Sequence, residues 1–278
     1  GDSGGWTLDP QKRVDFAYRG VHVTTEAAKA LTAAYYGQPH RRSYFVGCSD
    51  GGREGLMAAQ RYPKDYDGIV VGAPAMLFNI QNSLHHGWLA HSNRDTGLVS
   101  TGKIVLYPAK VKVLHAAVVK ACDALDGQTD GLLTDPRACR FDVSTLQCAA
   151  GAADTSTCLT PTEVATVKKI YEGPKDPVSG RRILAGGPQF GSELEWPGVF
   201  VPKDDQPATS VGSQMFADGA RHLIFDEPTP PTVDQFQFTE AFFARLRVRH
   251  ALNDATHPDL SAFQAAGGKL ILWHGRQD

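Results

Sequence analysis

Apolar and polar positions in the first third of the chain run helix, strand, helix, strand. Thr25-Glu26-Ala27-Ala28-Lys29-Ala30-Leu31 continues in good helix formers to Tyr36 and stops at Gly37, a polar start and a glycine end. Ser43-Tyr44-Phe45-Val46-Gly47 predicts a short strand, and a helix follows from about Ser49 to Tyr62, stopped by Pro63. Asp67 to Pro74 encloses the unbroken apolar run Ile69-Val70-Val71, the pattern of a strand buried on both faces. Elements in that order and at that spacing predict a parallel sheet.

The alternation stops near Met76. Residues 77–255 instead predict helices such as Pro108 to Ala121, and one opened by Thr160-Pro161-Thr162-Glu163, where Thr160 caps and Glu163 closes the box. Gly-, Pro- and Asp-rich loops separate them. The α/β pattern returns at a short helix, Asp259 to Phe263, then Gly267-Gly268, then the strand Lys269-Leu270-Ile271-Leu272-Trp273. The expected organisation is therefore an α/β core, residues 1–76 and 256–278, interrupted by an inserted lid at 77–255 that covers its active-site face.

Composition narrows the class without choosing a chemistry. The 278 residues are 42% hydrophobic and 21% charged, and the net charge of -2 comes from interspersed rather than blocked charges. That balance argues against a nucleic-acid partner. No run approaches the roughly 18 apolar residues that span a bilayer. Four of the five cysteines, Cys122, Cys139, Cys148 and Cys158, cluster in a turn-rich stretch as two short-range pairs. They read as local disulfides made in an oxidising compartment, hence a secreted or periplasmic protein. Zinc is the poorer reading, because neither Cys-x-x-Cys nor a nearby His pair is present. Cys48 is left over.

Candidate chemistry sits next to that odd cysteine. Gly47-Cys48-Ser49-Asp50-Gly51 fits Gly-x-Ser-x-Gly, with an expected strand before it and a helix after it. Such a turn is tight enough to strain the serine, and small residues two places to either side make room for it. Ser49 is the expected nucleophile, and the Asp50 amide at the start of the helix is the expected oxyanion donor. The bare motif also occurs in Gly-rich phosphate-binding turns, but the Gly-Lys-Ser/Thr of a P-loop is missing here. A nucleophilic serine needs a histidine base and an acid to orient it, in the chain order Ser, Asp or Glu, His. Asp278, in the loop after the last expected strand, is the candidate acid. No histidine follows it, so the catalytic His is expected outside this chain, which reads as truncated at both ends.

Ser43 to Gly55, with Ala73-Pro74, the Cys122 to Cys139 segment, Gly191-Ser192-Glu193, Trp196 and Lys269 to Asp278, resembles the tannase and feruloyl esterase family, which also contains mono(2-hydroxyethyl) terephthalate hydrolase. The resemblance implies an α/β-hydrolase core with a large inserted lid. It implies a serine esterase that cleaves small aromatic or phenolic esters, such as gallates and feruloyl esters, through an acyl-enzyme. It also implies that Cys48 is bonded to a cysteine beside the catalytic His, beyond Asp278. The family's other oxyanion donor, a glycine on an upstream loop, has no counterpart here. Two alternatives share the sequence features: an acyltransferase with the same triad, and a non-catalytic calcium-dependent binding protein on a hydrolase scaffold.

Cys122-Asp123-Ala124-Leu125-Asp126-Gly127-Gln128-Thr129-Asp130-Gly131-Leu132 places three carboxylates in eight residues. Spacing alone fits a solvated acidic turn slightly better than a metal loop, and it is not an EF-hand. The resemblance implies a structural calcium held by Asp123, Asp126 and Asp130, with Gln128 and Leu132 offering main-chain carbonyls. The local disulfides are then Cys122–Cys139, which closes this loop and contributes roughly 3 kcal/mol by loop entropy, and Cys148–Cys158.

Overall fold

A computed structural model of the chain describes residues 5–225 and 227–275. The described residues form two compact units. The first takes in the chain up to Gln81 together with His222–Pro228 and Leu246–Gly275, and the second takes in Asn82–Arg221 and Thr229–Arg245.

The first unit opens with helical chain earlier than the sequence pattern suggested. Asp9 caps a first turn at Pro10–Val14, its carboxylate accepting from the Gln11 and Lys12 amides. Helical backbone then continues through Asp15–Arg19 into α1, Gly20–Tyr36. The helix ends where expected, at Gly37, whose φ of 68° lies in the left-handed region. Strand β1 is Tyr44–Cys48, α2 is Asp50–Arg61 and β2 is Gly68–Gly72. The sheet is completed, after the second unit, by β3, Lys269–Trp273. All pairings are parallel in the order β1-β2-β3, with Cys48, Gly72 and Trp273 in register at the carboxyl end.

Helix α2 lies against the sheet through small residues. A Cβ on Gly55 would meet the Phe45 ring at 3.0 Å and Ile69 at 3.2 Å, so even a methyl there would press the neighbouring side chains aside by a few tenths of an ångström. Leu56, Met57, Ile69, Val71 and Phe263 form the core around this contact. β2, expected to be buried on both faces, is the central strand, with Ile69 and Val71 buried and Val70 half-buried. Among the described residues β1 and β3 flank it, and Tyr44 and Val46 on β1 are 69% and 77% exposed.

The second unit has no named strand among its described residues, only isolated bridges. Helices α3, Pro108–Cys122, and α4, Pro161–Glu172, start at the expected prolines. The Thr160–Glu163 capping box closes in both directions. These helices pack around Trp196, and disulfides join Cys122 to Cys139 and Cys148 to Cys158. Glu193, fully buried in that core, accepts hydrogen bonds from the Tyr171 hydroxyl (2.5 Å), His115 Nδ1 (2.8 Å) and the Gly191 amide (2.9 Å). The same carboxylate, with burial, raises the Tyr171 phenol well above its ordinary range, burial being the larger cause. No described helix is long and apolar enough to cross a membrane.

Candidate active site

The site is built at the carboxyl end of β1, where the chain reverses from strand to helix. Ser49 carries the reversal with φ 58° and ψ −119°, and Ala73 at the end of β2 is the other non-glycine at positive φ among the described residues. Backbone in this region costs on the order of 1–3 kcal/mol at a residue with a Cβ. It persists because its surroundings fix it. The Ser49 amide donates to the Gly72 carbonyl (3.0 Å), while the Ser49 carbonyl accepts from the amides of Arg53 (3.1 Å) and Ala75 (3.0 Å).

Ser49 occupies the N-cap position of α2 but makes no side-chain capping bond. A serine at that position ordinarily spends its hydroxyl on the helix amides. Here the backbone angles turn the hydroxyl away from that task, and the residue is exposed. The amide of Asp50, first in the helix, belongs to the turn whose N–H groups lack intrahelical acceptors. Hydroxyl and amide thus stand together at the positive end of a twelve-residue helix.

The glycines of the motif divide their roles differently from the sequence expectation. A Cβ on Gly47 would fall 2.3 Å from the Gly51 carbonyl oxygen, whereas a Cβ on Gly51 would meet nothing within 4 Å. The second close approach belongs to Gly52, where a Cβ would sit 2.7 Å from the Gly72 carbonyl and 2.9 Å from Pro74 Cα. Gly47 and Gly52, rather than Gly47 and Gly51, let the helix seat on the sheet.

Arg53, quoted in the motif but given no role by sequence reasoning, is completely buried beneath the elbow. Its Nε donates to Asp50 Oδ1 at 2.6 Å. The signal that could have found it is an arginine three residues after an acid in a helix whose first ten residues are otherwise mostly Gly, Ala, Leu and Met. Glu54, beside it, has its carboxyl pushed up by burial and then by the Asp50 charge. Cys48 is exposed and forms no disulfide among the described residues. Asp278, the candidate acid, lies outside the described residues. β3, the strand it follows, ends in register with β1 at the edge that carries Ser49.

In the second unit, the acidic loop uses its carboxylates on its own backbone. Asp123 accepts from the Gly131 amide (3.1 and 3.2 Å), Asp126 from Gln128 and Thr134 (both 3.0 Å), and Asp130 from Leu132 (3.1 Å). Hydrogen bonds from Thr134, then Gln128, hold the Asp126 carboxyl below its ordinary value. Gly127 and Gly131, at φ 88° and 82°, make the two left-handed turns. Among the described residues no three His, Cys, Asp or Glu side chains are gathered as a metal-binding group. The donor set is nevertheless oxygen only, which suits a hard cation such as calcium.

A strained serine between a parallel strand and a helix, at the carboxyl edge of the sheet, has the strand–turn–helix geometry of the α/β-hydrolase fold. The chain matches the tannase and feruloyl esterase family over residues 2–278 and belongs to that family. It is 35% identical over 270 residues to a probable feruloyl esterase B of Aspergillus clavatus, covering 97% of this chain and 48% of the relative. A probable feruloyl esterase B-2 of Aspergillus terreus is 34% identical over 273 residues, with the same coverages. The crystal structure of feruloyl esterase B from Aspergillus oryzae superposes with a TM-score of 0.74 at 30% identity, over 95% of this chain and 50% of that one. The tannin acyl hydrolase of Aspergillus niger shares the fold, with a TM-score of 0.73 at 24% identity over 97% of this chain and 50% of that one. The chain spans about half the length of the curated relatives it matches.

Proposed function

We propose that this chain carries the nucleophile of a serine carboxylic ester hydrolase acting on small aromatic esters, of the feruloyl or galloyl kind. The observation that carries the reading is the Ser49 backbone, at φ 58° with a hydroxyl not used for capping. A non-catalytic binding protein on this scaffold would gain nothing from keeping that strain. The substrate class is supported by the names of the relatives, feruloyl esterases among them.

In the proposed reaction Ser49 Oγ attacks the ester carbonyl and gives its proton to a histidine oriented by Asp278. The Asp50 amide, at the positive end of α2, donates to the oxyanion that forms. Collapse of that intermediate expels the alcohol, which takes the proton back from the histidine. Water then repeats the sequence on the aromatic acyl-serine. Cys48, adjacent and exposed, is read as half of a disulfide that ties the nucleophile to the segment bearing the base. Export to an oxidising compartment is supported by the two disulfides in the second unit.

We also infer that the Asp123–Leu132 loop binds calcium as a structural ion. The carboxylates of Asp123, Asp126 and Asp130 and the carbonyls of Gln128 and Leu132 would hold it, after turning from their present hydrogen bonds. When bound, the ion would supply the charge that three neighbouring carboxylates otherwise lack, since Arg137 is engaged by Asp135.

The test of the esterase reading uses the protein expressed from its complete gene, treated with a fluorophosphonate and mapped by mass spectrometry. The expected result is one adduct, on the Ser49 peptide, together with loss of methyl ferulate hydrolysis in Ser49→Ala. Retention of a tenth of the activity in that variant excludes Ser49. The same map reports Cys48, which the reading requires to resist alkylation until the protein is reduced.

A further inference from the structure

Arg53 is a charged side chain with no exposure at all, placed directly under the proposed nucleophile. Its guanidinium meets the Asp50 carboxylate with two nitrogens, Nε at 2.6 Å from Oδ1 and Nη2 at 3.4 Å from Oδ2. Nη1 donates to the Ala17 carbonyl at 2.7 Å and reaches the Asn253 carbonyl at 3.4 Å. The guanidinium carbon lies 5.6 Å from the centre of the Phe16 ring and 5.2 Å from that of Phe78. Three stretches of chain distant in sequence therefore converge on one cation, and its carboxylate partner is the residue whose amide is the proposed oxyanion donor. That partner is not buried; the Asp50 side chain is 45% exposed.

We propose that Arg53 is a positioning residue that acts through Asp50, holding the carboxylate back and cancelling its charge so that the amide of the same residue can stabilise an oxyanion. This rests on the reading of Ser49 as nucleophile and the Asp50 amide as oxyanion donor.

Helix stability does not require the pair. A carboxylate in the first helical turn is already favoured by the helix dipole, and it needs no cation beneath it. Burying a guanidinium is costly, and a buried ion pair contributes little net stability over an apolar replacement. Catalysis, however, does require something of this carboxylate. It is attached to the residue that donates to the oxyanion, and two negative charges so close repel. An unpaired carboxylate roughly 6 Å from the developing charge, at the effective dielectric of a protein site, slows the step by about a hundredfold. Arg53 removes that penalty from the dry side, while its contacts with Ala17, Asn253, Phe16 and Phe78 keep the first turn of α2 from shifting.

The experiment compares Arg53→Met and Arg53→Lys, each with and without Asp50→Asn, in the protein expressed from its complete gene. Turnover of methyl ferulate and of p-nitrophenyl acetate is measured below the melting temperature of every variant. Arg53→Met is expected to lower kcat by about a hundredfold with KM within a fewfold of wild type. Adding Asp50→Asn, which removes the offending charge, is expected to restore at least about tenfold of that loss. Arg53→Lys keeps a cation but not the two-pronged grip, and should lose only severalfold in kcat, again recovered by Asp50→Asn. A purely structural role would lower the melting temperature without this recovery. Arg53→Met at wild-type kcat, or a double variant no faster than its single parent, overturns the proposal. Should Arg53→Met fail to fold, the Arg53→Lys pair decides by the same comparison. Ser49→Ala separates the two claims: activity there defeats the nucleophile itself, while an inactive Ser49→Ala with no recovery by Asp50→Asn defeats only the role of Arg53.

Discussion

Gly47 and Gly51 occupy equivalent places in the motif pattern, yet the structure assigns them opposite sensitivities to a single methyl group. The Cβ of Gly47→Ala would lie 2.3 Å from the Gly51 oxygen, 2.4 Å from the Gly51 carbonyl carbon and 2.8 Å from the Phe45 ring. The first two are backbone atoms in the opening turn of α2 and cannot rotate away. Ordinary contact begins near 3.4 Å, so the turn must retreat by about 1 Å, with an overpacking cost of about 1–3 kcal/mol. For a protein of this size that is a fall of about 2 to 5 °C in melting temperature. The kinetic effect should be larger, because about 1 Å of misplacement at a nucleophile costs on the order of a hundredfold.

Gly51→Ala, by contrast, places its methyl where no atom lies within 4 Å, in helical backbone. It should leave the melting temperature unchanged or raise it slightly, since replacing glycine by alanine in a helix gains up to about 1 kcal/mol. Thermal denaturation and kcat for methyl ferulate, measured on both variants of the protein expressed from its complete gene, check the pair. Equal damage from the two substitutions, or a Gly47→Ala protein within about 0.5 kcal/mol of wild type, would refute the packing argument.

Two further outcomes concern the second unit. Burial, then the charge of the neighbouring His85, pushes the His86 imidazole down to about 3. The unfolded chain therefore takes up a proton first, and stability drains away as pH falls from about 6.5 toward 3, by about 2 kcal/mol at pH 5. Urea midpoints at pH 7 and pH 5 should show this loss, and His86→Gln should reduce it; an undiminished loss in the variant assigns the effect elsewhere. For the proposed calcium loop, chelation should lower the melting temperature and added calcium restore it. Asp126→Ala should start at the lower temperature and ignore the chelator; wild type indifferent to chelation would end the proposal.

What the sequence made legible was whatever depends on a few adjacent residues. Gly37 ends its helix and Thr160 with Glu163 closes its box, because a left-handed turn and a reciprocal cap are decided within four residues. The strands Tyr44–Cys48 and Gly68–Gly72 fall within a residue or two of their apolar runs, and Lys269–Trp273 coincides with its own. The elbow is local in the same sense: strand, Gly-x-Ser and helix can be read together from one stretch of chain.

The missed features depend on residues that meet only after folding. Which glycine is crowded was not readable from Gly-x-Ser-x-Gly, because the crowding of Gly52 comes from Gly72 and Pro74 on the next strand. Glu193 could be noted as part of a resembling stretch, but not as the acceptor that joins Tyr171 to His115, two residues on different helices. Arg53 is the strongest instance. In sequence it is one more basic residue near an acid, the usual pattern of a solvated helix surface. Its burial depends on Phe16, Phe78 and Asn253, which no local window contains. The motif therefore gives the position of the proposed nucleophile, whereas the electrostatics around it are set by side chains brought from across the unit. Substitutions beneath the elbow, more than within the motif, are where sequence reasoning alone would underestimate the loss of activity.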